Sequence, residues 1–516
     1  MGVMKPQRLS INAIVRLGNL ALDGVITLIV VSYFVRRLGA EAYGVVPWLA
    51  SLFGFFAIVS TAVQTSAGRF VTFALGKQDP AAVRGYFSTS FFLMAGLGVF
   101  GFLLTCFLAW VAPALFPFSA ELLSTARALI LLLGGAVCLD IAAGGLFVGY
   151  FARQRFDLEF GVMMISGALR LAIILALSAS RGPSLVWIGV GTLAGAVLRV
   201  LGALYFVRRL LPNVSFALRQ FATSSLPSLL TFAGEVLIAG VGLVILNQAD
   251  ILVAGWLLGS AAVTVYFCGA KWNLLVRAVI GSFSTVLVPR FTALEAEGRF
   301  DDIRALALCA NRLVMPLSWL LAALLFAFSQ PLILTWVGPK QIEAVTVLRV
   351  IALPLAITVS AYVSISALTG IGKIRETSLS ALAAAFVSPA LAAYAVVEWN
   401  LGVVGIALGS AACLMARNGV YIPLLAQRYA RVPLVRYYRE LAHSAFAAIP
   451  SLALGLAVAT YLHPIGWARL AAAVILCSIP TLLVWWFVIA EPADRRLLRN
   501  LLPFFERGPA ARSDVS

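Results

Sequence analysis

Twelve ionisable side chains stand inside long apolar stretches of this 516-residue sequence, and their chemistry needs explaining first. Eight are basic, Arg16, Arg170, Arg199, Lys271, Arg277, Arg312, Arg349 and Arg417, and four are acidic, Asp23, Asp140, Glu235 and Asp250. On insertion scales a charge at the centre of a membrane helix costs about 2.5–3.5 kcal/mol, so each should face a partner or a watery interior. Mutual pairing would need equal numbers. Eight bases against four acids leave a positive surplus, which asks for an anion brought in from outside the chain.

The twelve differ in what their positions allow. Arg16, Arg312 and Arg349 lie a turn or two from the ends of their stretches and could snorkel to the membrane surface. Asp250 is also near an end and suits an interfacial place. Arg170, Arg199 and Arg417 lie deeper, where substrate contact and a structural ion pair are both open, with Asp140 as a partner for one of them. Lys271 and Arg277 are deep in one stretch and fall on neighbouring helix faces. Asp23 follows Arg16 by seven residues on nearly the same face, which would suit a switchable ion bridge or a cation site.

Other chemistries lack material. The sequence has two histidines, His443 and His463, and six cysteines without a C-x-x-C pair, so neither a zinc site nor a disulfide framework is expected. Gly96-x-Gly98-x-x-Gly101 matches a dinucleotide fingerprint by letter, but it sits inside an apolar run with no preceding strand. Close helix packing is the better reading, and Gly191 and Gly195 read the same way. Asn213-Val214-Ser215 spells a glycosylation sequon on the side assigned below to the cytoplasm. No Walker A lysine loop is present. The expectation is therefore no enzyme, no catalytic residue and no metal.

The elements that must position these charges follow from composition. Hydrophobic residues are 62% and charged residues 11%, against about 45–50% and about 25% in soluble domains. Soluble domains and disorder are both excluded. A bilayer core about 30 Å thick needs about 20 apolar residues as helix. Fourteen spans result, near 11–35, 42–63, 85–112, 123–149, 158–179, 184–207, 228–253, 261–288, 306–329, 344–369, 377–397, 402–426, 441–462 and 467–490. The runs do not alternate, so an all-α polytopic membrane protein is predicted rather than a barrel. No cleavable signal is expected ahead of the first span.

Charge also sets orientation. With the N-terminus in the cytoplasm, 24 of the 38 Lys and Arg fall in inside loops and tails and six in outside loops. That asymmetry predicts both termini inside. It also explains the net charge of +17 without nucleic acid.

An internal repeat is visible. Leu38-Gly39 has a counterpart at Leu258-Gly259, Arg69-Phe70 at Arg290-Phe291, Asp79 at Asp301 and Arg153 at Lys373, all offset by 220–222 residues. Six spans per copy keep both copies in one orientation, which predicts two lobes about a pseudo-two-fold axis along the membrane normal. The expected organisation is an N-lobe at 1–215, a C-lobe at 216–432, an added helix pair at 433–492 and a basic amphipathic tail at 493–516. Pro47, Pro316, Pro354, Pro389, Pro450 and Pro480 fall inside spans, where they kink helices.

The opening Tyr33-Phe34-Val35-Arg36-Arg37-Leu38-Gly39-Ala40-Glu41-Ala42-Tyr43-Gly44, with its L-G-x-x-x-Y-G pattern, resembles the polysaccharide (O-antigen type) flippases of the MOP (multidrug/oligosaccharidyl-lipid/polysaccharide) superfamily. The 6+6+2 span arrangement and the Arg69-Phe70 loop are similar to theirs. The resemblance implies a MATE-like fold and a transporter in the bacterial inner membrane. Its substrate would be an undecaprenyl-pyrophosphate-linked oligosaccharide, moved from cytoplasmic to periplasmic leaflet by alternating access for surface polysaccharide assembly. Membrane lipids, a polysaccharide polymerase and glycosyltransferases are the implied partners. In the related lipid II flippases, arginines on spans 1 and 8 and an acid on span 1 act in the cavity; the matching positions are Arg16, Asp23 and either Lys271 or Arg277. Multidrug antiporters of the superfamily couple through membrane acids, which Glu235 and Asp250 resemble, so H+ or Na+ is the implied coupling ion. A lipid II-type flippase, a cation-coupled drug exporter and a membrane glycan polymerase or ligase are the competing readings.

Overall fold

A computed structural model describes residues 6–115, 120–212, 214 and 217–491. Asn213 and Ser215 of the sequon, and the amphipathic tail at 493–516, lie outside the described residues. Helices account for nearly all of the rest, and no strand occurs among the described residues. Among the described residues thirteen helices are long and apolar enough to cross a membrane. The first of them, α1 (Pro6–Gly76), breaks at Gly39 (φ 88°, ψ 174°), so its arms 6–38 and 40–76 are the first two of the fourteen predicted spans.

The chain divides into two compact units. One comprises 1–267 with 381–406, the other 268–380 with 407–516. The first unit holds α1, α2 (Pro80–Leu115), α3 (Ala120–Ala142), α4 (Gly144–Ala152), α5 (Phe156–Arg181), α6 (Val186–Leu210) and α7 (Leu226–Leu258). Its core packs Val71, Phe87, Leu146 and Val207 from four different helices. On α2 the large apolar side chains Val99, Phe100, Leu103 and Trp110 point outward, Trp110 with 74% of its surface exposed. Water would penalise such a face, and lipid suits it.

Helix α8 (Ser260–Thr285) leaves the first unit and enters the second, which continues with α9 (Val288–Ala296), α10 (Phe300–Ala327), α11 (Ser329–Trp336), α12 (Glu343–Ser360) and α13 (Tyr362–Gly370). Helices α14 (Ile374–Val397) and α15 (Gly402–Leu414) span the unit boundaries. A π-helical turn at Met415–Tyr421 joins α15 to α16 (Ile422–Ala430), and α17 (Leu434–Tyr461) and α18 (Trp467–Val484) follow. The second unit's core is built on Ile280, Phe291, Ile303, Leu355 and Ile422. All six prolines predicted to kink spans lie inside helices.

The 220-residue repeat extends to backbone conformation. Gly259 (φ 86°, ψ 177°) has the same torsion angles as Gly39. Gln78 and Gly298 share positive φ, 55° and 69°, as do Gly182 and Gly402, 83° and 52°. These are the places where helices break, and only glycine adopts the Gly39 geometry without strain. Two of the three glycines of the α2 motif, Gly98 and Gly101, are packing positions. A Cβ on Gly98 would lie 2.5 Å from the Ala142 Cβ, and one on Gly101 would lie 3.2 Å from the Cys138 Sγ. Gly191 and Gly195 let α6 approach the backbone carbonyls of Arg170 and Ser166 on α5.

Candidate functional site

In the first unit two of the membrane cations have carboxylate partners. Arg170 on α5 donates from Nη2 to Asp23 Oδ1 on α1 at 3.1 Å. Arg199 on α6 grips Asp140 on α3 with two nitrogens, Nε to Oδ1 at 3.2 Å and Nη2 to Oδ2. Its third nitrogen, Nη1, reaches Ser166 Oγ on α5 at 3.4 Å. Two-point guanidinium–carboxylate contacts of this kind fix orientation as well as charge. Asp23 thus belongs to Arg170, 147 residues away, and not to Arg16. Arg16 is exposed.

A cavity of about 320 Å3 opens beside the Asp140–Arg199 pair. Gln64 lines it from the arm 40–76, Tyr150 from α4 and Glu159 from α5. The Glu159 side chain makes no hydrogen bond or ion pair among the described residues, its backbone N–H donating to the Arg155 carbonyl at 3.4 Å. Tyr150 is 2% exposed, and its hydroxyl has no hydrogen-bond partner among the described residues. Gln64 Nε2 donates to Ser60 Oγ at 2.6 Å. Just before α5, the hydrogen bond to Asp157 holds the Arg155 guanidinium in its charged form, above its ordinary range.

The second unit is different. Arg312 pairs with Glu491 at 3.2 Å, and Trp485 Nε1 donates to the Arg312 carbonyl at 2.7 Å. Among the described residues Arg349 and Arg417 form no ion pair and donate to neutral groups. Arg349 Nε donates to Ser329 Oγ at 2.8 Å, and its guanidinium lies 5.9 Å from the Phe326 ring centre. Arg417 sits on the π turn, a widened turn often found at functional places. It donates to Ser380 Oγ at 3.1 Å, the Asn418 carboxamide oxygen at 2.6 Å and the Thr377 carbonyl at 3.0 Å.

On α8 three buried polar atoms, Trp272 Nε1, Asn273 Oδ1 and Arg277 Nε, have no hydrogen-bond partner among the described residues. Arg277 Nε and Asn273 Oδ1 both lack a hydrogen bond, and residues four apart share a helix face. Trp272, beside Asn273, is wedged edge-on against Trp336 at 5.4 Å. Lys271 is half-buried on the same helix. A buried donor and acceptor left open on one face are what an incoming polar ligand would satisfy. Glu235 is exposed on α7. Asp250 is buried and accepts the Tyr266 hydroxyl at 2.5 Å. No group of three or more His, Cys, Asp or Glu among the described residues is placed to hold a metal.

Among the functional candidates, Glu159, Tyr150, Gln64 and Asn273 were not singled out by sequence reasoning. Asn273 carried a usable signal in its four-residue spacing from Arg277.

Comparison with known proteins gives a consistent picture. The family model described as polysaccharide biosynthesis protein matches residues 13–295. The uncharacterized membrane protein EpsK of Bacillus subtilis (strain 168) is 23% identical over 396 residues, covering 77% of this chain and 78% of that one. Among solved structures, the lipid II flippase MurJ in an inward closed conformation is similar with a TM-score of 0.72 at 13% identity, over 95% of this chain and 99% of that one. An inward-facing multidrug resistance MATE family transporter of the MOP superfamily gives a TM-score of 0.69 at 17% identity, over 81% and 99%. At these identities the structural likeness establishes a shared fold, the MOP fold.

Proposed function

The chain belongs to the polysaccharide biosynthesis protein family, and on that premise we propose that it is a flippase for a lipid-linked anionic oligosaccharide. The substrate in this reading is an oligosaccharide on undecaprenyl pyrophosphate, moved from the cytoplasmic to the periplasmic leaflet by alternating access. The protein works in the bacterial inner membrane with both termini inside, and it hands its product to a polysaccharide polymerase.

The observation that carries the reading is the sorting of the membrane cations. In the first unit Arg170 and Arg199 have carboxylate partners. In the second unit Arg277, Arg349 and Arg417 form no ion pair among the described residues, and Arg277 keeps an unpartnered buried Nε. Unpaired guanidinium groups in a membrane protein favour a ligand that brings negative charge, and a diphosphate offers the planar, multi-oxygen surface arginine binds well. A drug exporter of cationic compounds would be served by the opposite sign.

The test is to count lipid-linked intermediates on each leaflet of a strain lacking this chain. Accumulation on the cytoplasmic leaflet is the expected result. Accumulation on the periplasmic leaflet would replace the proposal with a polymerase or ligase, and no accumulation would favour drug export.

A further inference from the structure

On the second unit two cations converge on one aromatic ring. Lys373 stands in the turn between α13 and α14, and Arg428 in the last turn of α16. The Lys373 Nζ lies 4.8 Å from the Tyr429 ring centre, and the Arg428 Cζ lies 5.3 Å from it. Next along the chain, Arg431 lies over the Phe300 ring at 4.9 Å. None of these three cations forms an ion pair among the described residues. The acids around them do not supply one. Asp302 is paired with Arg299, Asp301 faces Arg304, and Glu376, one turn beyond Lys373, makes no ion pair either. A ring face attracts one cation, but two cations on one ring repel each other, and an anion between them relieves that repulsion.

Membrane topology asks for Lys and Arg near span ends, not for two of them on one ring. The internal repeat supplies a contrast. Arg153, the first-unit counterpart of Lys373, donates from Nε to the Leu210 carbonyl at 3.0 Å. At the same 220-residue offset, Tyr429 stands where the first unit has Arg209. One copy spends its cation on the end of a helix, and the other leaves it open beside an aromatic ring.

We propose that Lys373, Arg428 and Tyr429 bind the phosphate headgroup of an anionic phospholipid. The donors suit a phosphodiester: an ammonium, a guanidinium, and the Tyr429 hydroxyl, which makes no hydrogen bond among the described residues. Tyr429 packs against the second unit's core, so its ring is held in place while the two cations adjust to the ligand. The surface leading to the site marks the ligand as a lipid and not a soluble phosphate. Tyr421, Leu424 and Arg428 follow one another at three- and four-residue spacing, which puts them on one helix face. Tyr421 and Leu424 are exposed, as is Ile374 beside Lys373. An acyl chain lies along this apolar face and its headgroup ends at the basic residues, as acidic lipids do in basic pockets at a membrane surface. The site is separate from the α8 residues assigned to substrate, and lipid binding there does not depend on what is transported.

The experiment is native mass spectrometry of the full-length protein, titrated with phosphatidylglycerol or with phosphatidylcholine of the same acyl chains. Phosphatidylglycerol should bind more tightly, and Lys373→Gln with Arg428→Gln should weaken it by about tenfold or more, since each basic residue at a membrane surface contributes about fivefold. Arg428→Lys should keep most of the binding. Arg153→Gln with Arg209→Gln removes the same charge from the first unit and should leave it unchanged. Equal affinity for the two lipids would overturn the site, as would undiminished binding in the Lys373→Gln, Arg428→Gln variant. An equal loss from the first-unit pair would also overturn it, reducing the effect to general surface charge. Displacement of the lipid by an equal concentration of glycerol 3-phosphate would overturn the lipid as ligand in favour of a soluble phosphate ester. Arg428→Gln alone, at an exposed position, carries the test where the double variant fails to fold.

Discussion

Gly44 and Ser260 meet backbone to backbone: a Cβ built on Gly44 would stand 1.8 Å from the Ser260 carbonyl oxygen. One turn away, Thr264 Oγ1 donates to the Ala40 carbonyl at 2.6 Å, and Gly255 faces the Trp48 ring just as closely. The L-G-x-x-x-Y-G motif therefore has a structural meaning. Gly39 breaks the helix, Tyr43 is buried, and Gly44 allows the arm 40–76 to lie against the start of α8. Gly44→Ala forces these two segments apart. A loss of about 1–3 kcal/mol is expected, as for overpacking generally. A lowered thermal midpoint in detergent would show it, and an unchanged midpoint would contradict the contact.

The three glycines on α2 give an internal control. A Cβ on Gly96 meets nothing within 4 Å, whereas one on Gly98 would be 2.7 Å from backbone atoms of Ala142. Gly96→Ala should be neutral or stabilise by about 0.5–1 kcal/mol, since alanine restricts the unfolded chain. Gly98→Ala should destabilise. Equal effects at the two positions would return the motif to some role other than packing.

Gly39 and Gly259 share a backbone geometry that other residues reach only with strain. Alanine at either position should cost about 1–3 kcal/mol. Nothing lies within 4 Å of a Cβ at either site, so the cost is conformational rather than steric. The two losses should therefore be similar, and thermal unfolding of the two single variants measures them. A clear inequality would mean that the repeat is one of letters and not of structure.

The spans were legible because membrane helices announce themselves by long apolar runs, and the arms of α1 were separable because Leu38-Gly39 is followed by polar Glu41. The repeat was legible for the same reason, through fixed spacing of helix ends. Partner choice was not. Asp23 and Arg16 share a face of one helix, yet Asp23 pairs with Arg170 on α5, a choice made by tertiary packing that no local spacing reports. Glu159 escaped notice because it is the second residue of the span predicted at 158–179, two residues from Asp157, where a charge reads as marking the end of a span. Tyr150 and Gln64 carry no charge, and their importance appears only when four helices and the arm 40–76 close around a common space.

Asp140 and Arg199 provide a stability test that is independent of transport. Both side chains are about a quarter to a third exposed, so the pair falls between exposed and buried ion pairs. Asp140→Asn should cost about 1–3 kcal/mol, because Arg199 loses its charge partner inside the membrane. Replacing both, as Asp140→Asn with Arg199→Met, should cost less than the sum of the single changes. A double-mutant cycle from thermal unfolding reads the coupling, and a coupling of zero would leave the pair without structural weight.

Arg277 and Asn273 are where substrate should be felt. In a flux assay with reconstituted protein, Arg277→Ala should lower transport by about 10–100-fold, the effect of losing a charge-assisted hydrogen bond to the ligand. Arg277→Lys keeps the charge but loses the fork, so it should recover part of the rate. Asn273→Leu removes one neutral acceptor and should have the smaller effect, with folding preserved because the Asn273 Oδ1 accepts no hydrogen bond among the described residues. Lys271→Ala tests the neighbouring face of α8. Unchanged flux in both Arg277→Ala and Lys271→Ala would remove α8 from the substrate path, and the anion would then have to be sought at Arg349 and Arg417.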